Sequence, residues 1–273
     1  MRLLVVGGDR VDAGKTTFAT GLLAHLRGDG HAPVGFKPRA GNDYWFDHDD
    51  VRATVGEGRL YGKDARRLAA TSAGDTDPET LNPVHRLWTP TPGETGMLGD
   101  PERTFLVDRV TGDSGPEFVV NGTVDLPDLV VESLPLGDSP RVYDVPEFNE
   151  LMADRYVPAF DRLRRRVGAT ETAVIESYGD IALPLSEVGV DAVAAVRAGR
   201  ARVFDGSRFL KAREVTSGSP HDGRLEERVG NVVSRLDPLA AVELPALASE
   251  ERRDPSRVAA RYASAYEALV EAA

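Results

Sequence analysis

The sequence predicts an α/β fold with three layers, in which a mostly parallel sheet has helices on both faces. Three observations support this. The apolar run Leu3–Val6 passes through a glycine-containing loop into a helix-like run, Phe18–Arg27. Two further apolar runs, Val34–Pro38 and Thr172–Glu176, lie between stretches of helical pattern. Buried parallel strands are near-continuous apolar runs, and they alternate with helices along the chain.

The length of 273 residues fits one large α/β domain or two small ones, and we predict a single domain over 1–273. The region of about 100–145 differs in character, because strand-like Thr104–Val110 and Glu117–Asn121 flank the turn-like Thr111–Pro116. We interpret this β-hairpin as an insertion in the domain, since the region is too short to bury a core of its own.

The remaining elements are predicted from the spacing of apolar residues and from the glycines and prolines that interrupt helices and strands. A helix over 146–167 is expected to kink or split at Pro158, which has no N–H to donate. The residues Arg39–Asp50 are predicted as a loop that leads into a helix. Other predictions are an extended stretch Leu81–Pro92, a helix Gly62–Ala70, strands Ala192–Val196 and Leu239–Leu247, a strand or loop Ala201–Phe204, and helices Ser207–Val215, Leu225–Leu236 and Pro255–Ala272.

The segment between the first strand and the first helix has the layout of a phosphate-binding P-loop. Glycines let backbone N–H groups approach an anion, and the helix adds its unpaired N–H groups and the positive end of its dipole. Lys15 is placed to reach the outer phosphates and Thr16 to bind Mg²⁺. The loop is one residue longer than the usual pattern. The predicted nucleotide-binding residues are Gly8, Asp12, Ala13, Gly14, Lys15, Thr16 and Thr17.

Lys37 and Glu176 each follow a predicted strand. In an open α/β sheet, ligands bind at the carboxyl ends of the strands, so both side chains are expected to face the crevice of the glycine loop. A carboxylate in this position suits a metal ion that accompanies phosphates. The alternative for each is a solvated charge at a strand end.

Composition excludes several classes of protein. The chain has no cysteine, which excludes disulfides, thiolate metal sites and a cysteine nucleophile. A net charge of −11 disfavours nucleic acid as a partner, because phosphate binding needs a basic surface. No apolar run reaches the ~18 residues of a membrane span, and the N-terminus enters a strand without a signal peptide. We therefore expect a cytoplasmic protein.

Lysine is scarce, with four lysines among 33 Lys and Arg residues. An acidic, lysine-poor surface suits a halophilic cytoplasm such as that of haloarchaea, because like charges keep proteins apart at high salt. A GC-rich genome would also favour arginine. Where lysine is rare on the surface, Lys15 and Lys37 become stronger candidates for a chemical role.

The acidic run from Asp47 to Asp50 has two interpretations. It can begin a helix, because acidic side chains stabilise a helix N-terminus, or it can hold a second metal ion. We prefer the first. The aromatic residues before it, Tyr44 to Phe46, can stack on a ligand or pack onto the core.

Several segments, in this order, resemble the dethiobiotin synthetase family and, more distantly, the MinD/ParA-type P-loop ATPases. The resemblance covers most of the chain apart from about 100–145. The segments are Gly8–Thr16 for Gly-x-Asp-Thr-x-Val-Gly-Lys-Thr, Gly35–Pro38 for Gly-Tyr-Lys-Pro, Asp64–Ala65, Asn82–Pro83, Pro90–Pro92, Val174–Ser186 and Val242–Pro245.

The resemblance implies a three-layer P-loop NTPase that uses Mg²⁺ and ATP. Lys15 and Thr16 would bind phosphates and Mg²⁺, and Asp64 and Glu176 would complete the metal site. Lys37 would stabilise a carboxyl or carbamate group of a small-molecule substrate while it takes up the γ-phosphoryl group. An amine then attacks the mixed anhydride, which makes the enzyme an ATP-dependent C–N ligase.

Two features depart from that family and keep a second interpretation open. Ser177–Asp180 replaces its glycine-rich loop, and Val11 replaces its P-loop threonine. MinD/ParA-type ATPases carry a lysine at the position of Arg10, which would act across a homodimer; the alternative is an arginine bonded to its own loop. A regulatory ATPase or GTPase is therefore the second hypothesis, and the absence of an Asn-Lys-x-Asp motif favours ATP over GTP.

Overall fold

The computed structural model describes residues 1–8, 14–91, 102–216 and 226–273, and its fold is α/β as predicted. The chain forms two compact units. The first comprises Met1–Pro38, Arg67–Thr76 and Arg164–Ala273, and the second comprises Arg39–Arg66 and Asp77–Leu163. In the described residues, no helix combines the length and the apolar character needed to cross a membrane.

The strands and helices of the described residues are numbered in chain order. The strands are β1 (Arg2–Gly7), β2 (Val34–Phe36), β3 (Arg39–Asp43), β4 (Val84–Pro90), β5 (Arg103–Gly112), β6 (Gly115–Asn121), β7 (Arg141–Val142), β8 (Ala173–Glu176), β9 (Ala192–Arg197), β10 (Arg200–Asp205) and β11 (Ala240–Glu243). The helices are α1 (Lys15–Gly28), α2 (His48–Val55), α3 (Lys63–Thr71), α4 (Pro78–Leu81), α5 (Asp128–Ser133), α6 (Val145–Leu151), α7 (Val157–Ala169), α8 (Gly206–Thr216), α9 (Val229–Val233), α10 (Ser249–Arg253), α11 (Pro255–Arg261) and α12 (Ala263–Glu271).

The sheet of the first unit has the strand order β11-β10-β9-β1-β8-β2. The pairs β9–β1, β1–β8 and β8–β2 are parallel, whereas β9–β10 and β10–β11 are antiparallel. The sheet is therefore mixed, with three of its five strand pairings parallel. The physical reason is the two-residue connection from β9 to β10, in which Gly199 adopts a φ of 74° and turns the chain back on itself.

Helices cover both faces of this sheet, which makes β1 apolar on both sides. Leu3 and Val5 point into one apolar cluster with side chains of α1 and α12. Leu4 and Val6 point to the opposite face and are also fully buried. On β10, Phe204 contacts α8 rather than that cluster. A strand buried on both faces explains the continuous apolar run at the N-terminus.

The second unit has its own sheet, in the order β3-β4-β5-β6-β7. The expected hairpin is present as β5 and β6, joined by a turn at Asp113 and Ser114. Its strands have apolar clusters of their own. The region of about 100–145 lies within this second unit, to which residues from Arg39 onward supply further strands and helices. A single domain with an inserted hairpin stays a prediction.

A buried polar centre holds the sheet of the second unit together. Arg86 forms a bidentate ion pair with Asp108, through Nε–Oδ1 at 2.6 Å and Nη2–Oδ2 at 2.5 Å. The Tyr156 hydroxyl donates to Oδ2 of the same carboxylate at 2.6 Å. Burial, followed by the charge of Asp108, raises the pKa of Tyr156 above its usual value. Fully buried Arg109 donates to backbone and side-chain oxygens, and burial lowers its pKa to about 10. Such paired groups fix the register, since breaking a buried pair is costly.

Four local predictions differ in detail from the structure. The predicted helix Pro255–Ala272 is two helices, α11 and α12, with Tyr262 between them. Residues Arg39–Asp43 form β3 rather than a loop, because they pair with β4. The helical stretch near Pro158 is divided by a π-helical segment, Met152–Tyr156, which relieves the clash of the proline ring with the preceding turn. The predicted helix Leu225–Leu236 is shorter, as α9 covers Val229–Val233 and Leu225 lies outside the described residues.

Candidate functional site

The parallel pairing of β1 with β8 brings two parts of the predicted site to one edge of the first unit. Val5 pairs with Glu176, and the backbone N–H of Ser177 donates to the carbonyl oxygen of Val5 at 2.9 Å. On the other side of β8, Phe36 pairs with Ile175, so Lys37 leaves β2 beside Glu176. The carboxyl ends of three neighbouring strands therefore supply the glycine loop, the glutamate and the lysine.

The helix α1 begins where the predicted loop ends. Gly14 has a φ of 79°, a left-handed conformation that favours glycine, and Lys15 is the first helical residue. The first turn of this 14-residue helix carries no acidic residue, so nothing in its own sequence neutralises its positive end. The predicted nucleotide-binding residues Asp12 and Ala13, and Arg10, lie outside the described residues.

Glu176 is the centre of a buried cluster. Its Oε1 accepts a hydrogen bond from the Thr16 hydroxyl at 2.7 Å and one from the Lys37 ammonium at 2.5 Å. Glu176 is fully buried, Lys37 is 4% exposed and Thr16 is 9% exposed. The other oxygen, Oε2, is buried and accepts no hydrogen bond from any described residue. The alternative of a solvated charge at each strand end is therefore wrong for both Lys37 and Glu176.

Two side chains of this cluster, the Thr16 hydroxyl and the Glu176 carboxylate, carry oxygen atoms of the kind that bind Mg²⁺. Mg²⁺ prefers oxygen ligands and keeps several of its waters, so a hydroxyl and a carboxylate on neighbouring elements suffice as protein ligands when phosphates supply the rest. No described residue donates to Oε2 of Glu176, whose other oxygen accepts from the Thr16 hydroxyl. An unsatisfied buried carboxylate oxygen is costly, and a cation would offset that cost.

Lys15 contacts the loop that follows Glu176. Its ammonium donates to the carbonyl oxygen of Gly179 at 2.8 Å. Gly179 has a φ of 51°, so the backbone turns sharply there. The glycine retained in Ser177–Asp180 thus has a specific use, although the loop otherwise departs from the glycine-rich pattern.

A second segment, 226–229, holds that loop and was not singled out by the sequence. The Tyr178 hydroxyl donates to Glu226, the N–H of Ala182 donates to the Glu227 carbonyl at 2.8 Å, and the N–H of Val229 donates to the Asp180 carbonyl at 2.7 Å. This pairing joins positions that are nearly 50 residues apart in the chain. No local pattern in the sequence signals it, because backbone groups of any residue type can form such bonds.

Arg197 is a further residue that sequence reasoning missed. It ends β9, beside β1, and its guanidinium donates to the Gly8 carbonyl at 3.2 Å. A Cβ on Gly8 would lie 2.1 Å from Nε of Arg197, so a larger residue here would have to displace this exposed side chain. The signal that could have found Arg197 is its position, directly after a buried strand.

Two further predicted residues, Thr17 and Asp64, lie in the first turns of helices. Thr17 lies in the first turn of α1, and its carbonyl accepts a bond from Thr20 at 3.1 Å. Asp64 lies in the first turn of α3, within the second unit, and its role as a metal ligand stays a prediction. Among the described residues, no group of three or more His, Asp or Glu is arranged to hold a metal ion. The acidic run Asp47–Asp50 does begin a helix, since α2 starts at His48 with Asp49 and Asp50 in its first turn.

Comparison with known proteins adds no relative. No protein-family model matches the chain, and no curated protein matches it.

Proposed function

We propose that the first unit binds a nucleoside triphosphate, ATP in preference to GTP, together with Mg²⁺, and that it transfers or hydrolyses the γ-phosphoryl group. The observation that carries this proposal is the cluster of Thr16, Lys37 and Glu176 at the start of α1, with one glutamate oxygen lacking a partner among the described residues. Phosphoryl transfer depends on positioned charge, which this cluster supplies.

Each residue has a defined part in that proposal. Lys15 and the N–H groups at the start of α1 bind phosphate oxygens, with Gly8 and Gly14 keeping the backbone open for them. Thr16 and Glu176, both in the first unit, would hold Mg²⁺. Mg²⁺ neutralises the charge of the phosphates and orients them for transfer. Lys37 is already held beside the metal ligand, where it can pair with a second anionic group.

The reaction that fits two lysines and one metal ion is activation of a small carboxylate or carbamate. Lys37 orients the substrate anion, whose oxygen attacks the γ-phosphorus. The bond from that phosphorus to the departing nucleoside diphosphate breaks. An amine that then attacks the mixed anhydride forms a C–N bond and releases phosphate. This is the chemistry of a dethiobiotin synthetase-like ligase acting on a small molecule.

A dimeric regulatory ATPase of the MinD/ParA type is the second candidate. One observation favours it. Backbone and side-chain hydrogen bonds connect the loop after Glu176 to 226–229, whereas a ligase would need the backbone N–H groups of that loop to be accessible to a substrate. Arg10 would then act on the phosphates of the partner in a homodimer.

Calorimetric titration of the protein with ATP, with and without Mg²⁺, tests the nucleotide site. We expect Lys15→Ala to weaken binding at least about tenfold, because charge-assisted hydrogen bonds to phosphate are strong. We expect Glu176→Gln and Thr16→Ala to reduce the increase in ATP affinity that Mg²⁺ produces. Lys211→Ala, which removes an exposed lysine of α8, is the matched control. Wild-type affinity in Lys15→Ala, or no binding at all by the wild type, contradicts the proposal.

Turnover measurements at high salt separate the two candidate functions. Stimulation of ATP hydrolysis by a pool of amino and carboxylic metabolites supports the ligase, and a rate per subunit that rises with protein concentration supports the dimer. We expect Lys37→Ala to keep nucleotide affinity and lose the metabolite-stimulated rate. An unchanged stimulated rate removes Lys37 from the mechanism.

A further inference from the structure

The second unit carries a surface groove with a volume of about 580 Å³. It is bordered by the turn before α2, by α2 itself and by the first turn of α3. The side chains that matter for its chemistry are Trp45, Phe46, Asp47, Asp49, Asp50, Lys63 and Arg66. The residues that line the groove all lie within the second unit.

Two exposed aromatic rings form one wall of the groove. Trp45 is 71% exposed and Phe46 is 76% exposed, and their ring centroids are 5.0 Å apart at an interplanar angle of 77°. Their backbone N–H groups both donate to Oδ1 of Asp43, at 2.9 and 3.1 Å, so the turn that presents them is fixed. Large aromatic surfaces contribute most when they are covered, and they pack well against flat ligands.

Two acidic side chains of the groove, Asp47 and Asp50, accept hydrogen bonds of 2.8 to 3.0 Å from nitrogen donors. Asp50, with its side chain 9% exposed, accepts bonds at Oδ2 from Asn42 Nδ2 at 2.9 Å and from the N–H of Lys63 at 2.8 Å. Asp47 accepts a bond from the N–H of Asp43 at 3.0 Å. Through these bonds the two carboxylates connect the turn before α2 and the first turn of α2 with β3 and with the start of α3.

The two basic side chains of the groove are held more loosely. Lys63 Nζ is 3.4 Å from Asp47 Oδ1, and Arg66 Nη2 is 3.4 Å from Asp50 Oδ1. Their side chains are 60% and 51% exposed. An ammonium has three donors and a guanidinium five, so most of their capacity is open to an anion. Because they are three residues apart at the start of α3, they lie on the same side of the helix.

We propose that this groove binds a small monocarboxylate with a flat apolar part, such as an aromatic acid. The carboxylate pairs with Lys63 and Arg66, and the apolar part covers Trp45 and Phe46. Asp49 is exposed, and no described residue forms a hydrogen bond or an ion pair with its carboxylate, so its charge disfavours ligands with more than one negative charge.

The tryptophan indole N–H signals in an NMR titration report directly on this groove. The chain has two tryptophans, and Trp45→Phe identifies the signal of Trp45, while Trp88 on β4 serves as an internal control. Added phenylacetate is expected to shift the Trp45 signal in a saturable way. Lys63→Gln and Arg66→Gln are each expected to weaken the affinity about tenfold, because each removes a charge-assisted bond. Arg52→Gln, an exposed arginine of α2 outside the groove, is expected to bind as the wild type does.

Three related probes decide the class of ligand. Phenethyl alcohol, phenethylamine and phenyl phosphate share the ring and are respectively neutral, cationic and more highly charged. We expect each to bind at least several-fold more weakly than phenylacetate. Tighter binding of the amine or of the phosphate overturns the proposal. So does an absence of any shift with phenylacetate, or a Trp45 shift that follows protein concentration and so reveals contact with a second copy of the chain.

Discussion

At the scale of single residues, Glu176 determines what the candidate site can bind. Its carboxylate is fully buried, and its two donors among the described residues, Thr16 and Lys37, use the same oxygen. Lys37 therefore compensates the buried charge while Oε2 keeps its acceptor capacity. A buried ion pair of this kind adds little net stability by itself, yet removing one partner is costly because the other charge is left without compensation.

The pair can be tested by a double-mutant cycle that needs no nucleotide. We expect Lys37→Ala to lower the free energy of unfolding by about 3–5 kcal/mol, because it leaves Glu176 charged and buried. Adding Glu176→Gln should restore part of that loss, with a coupling energy of about 1–3 kcal/mol. Urea unfolding of the four proteins measures it.

The control for that cycle is Lys211→Ala, which removes an exposed lysine and should change stability by less than about 0.5 kcal/mol. Strictly additive effects of Lys37→Ala and Glu176→Gln would show that the two side chains do not interact.

At the scale of elements, the position of α1 is set by its contacts with the C-terminal helices. The Tyr266 hydroxyl on α12 donates to the Phe18 carbonyl at 3.0 Å, and burial raises the pKa of Tyr266 well above its usual value. Gly21 makes this packing possible, since a Cβ there would overlap that hydroxyl and lie 2.5 Å from Cγ1 of Val258 on α11. The helix that presents Lys15 is thus held by distant parts of the chain.

Two glycines of α1 should respond in opposite directions to alanine. Gly21→Ala gains helix propensity of about 1 kcal/mol but must displace Val258 and Tyr266, so we expect a net loss of about 1–3 kcal/mol. Gly28→Ala is the matched control, because a Cβ there meets no atom within 4 Å, and it should leave stability unchanged or raise it. Urea unfolding compares the two. Equal effects would mean that the close contact at Gly21 relaxes without cost.

At the scale of the whole molecule, the net charge of −11 is the dominant electrostatic feature. Like charges on a compact chain repel one another, and salt screens that repulsion. Raising the ionic strength from about 0.1 to 1 M shortens the screening length from about 10 to 3 Å. Stability should therefore rise with salt, as the halophilic interpretation of the composition requires.

Urea unfolding at increasing KCl tests that statement. We expect the midpoint to rise with KCl in the wild type and to rise less in the triple variant Asp75→Asn, Asp138→Asn, Glu150→Gln, which removes three exposed negative charges. An identical salt dependence in both proteins would mean that the effect of KCl is not screening of surface repulsion.

Prediction from the sequence worked best where the signal is local. The strand–loop–helix layout around Gly14 and Lys15, the strands ending at Lys37 and Glu176, and the hairpin of β5 and β6 all follow from patterns within about 15 residues. Prediction was less successful where the conformation of a segment depends on a neighbouring strand that is distant in the sequence. Residues Arg39–Asp43 form a strand only because β4 lies beside them, and the second unit has a core because its strands and helices come from two separate ranges of the chain.

The sequence by itself therefore determined the α/β class, the start of α1 and which polar residues follow buried strands. Each of these depends on apolar periodicity or on the position of a glycine, which are visible within a few neighbouring residues. Only the tertiary structure decided that Thr16 and Lys37 share one oxygen of Glu176, that 226–229 holds the loop beside Lys15, and that Lys63 and Arg66 face the same groove as Trp45. Those contacts join residues far apart in the chain, and their geometry depends on how strands pair and helices pack, which no local pattern specifies.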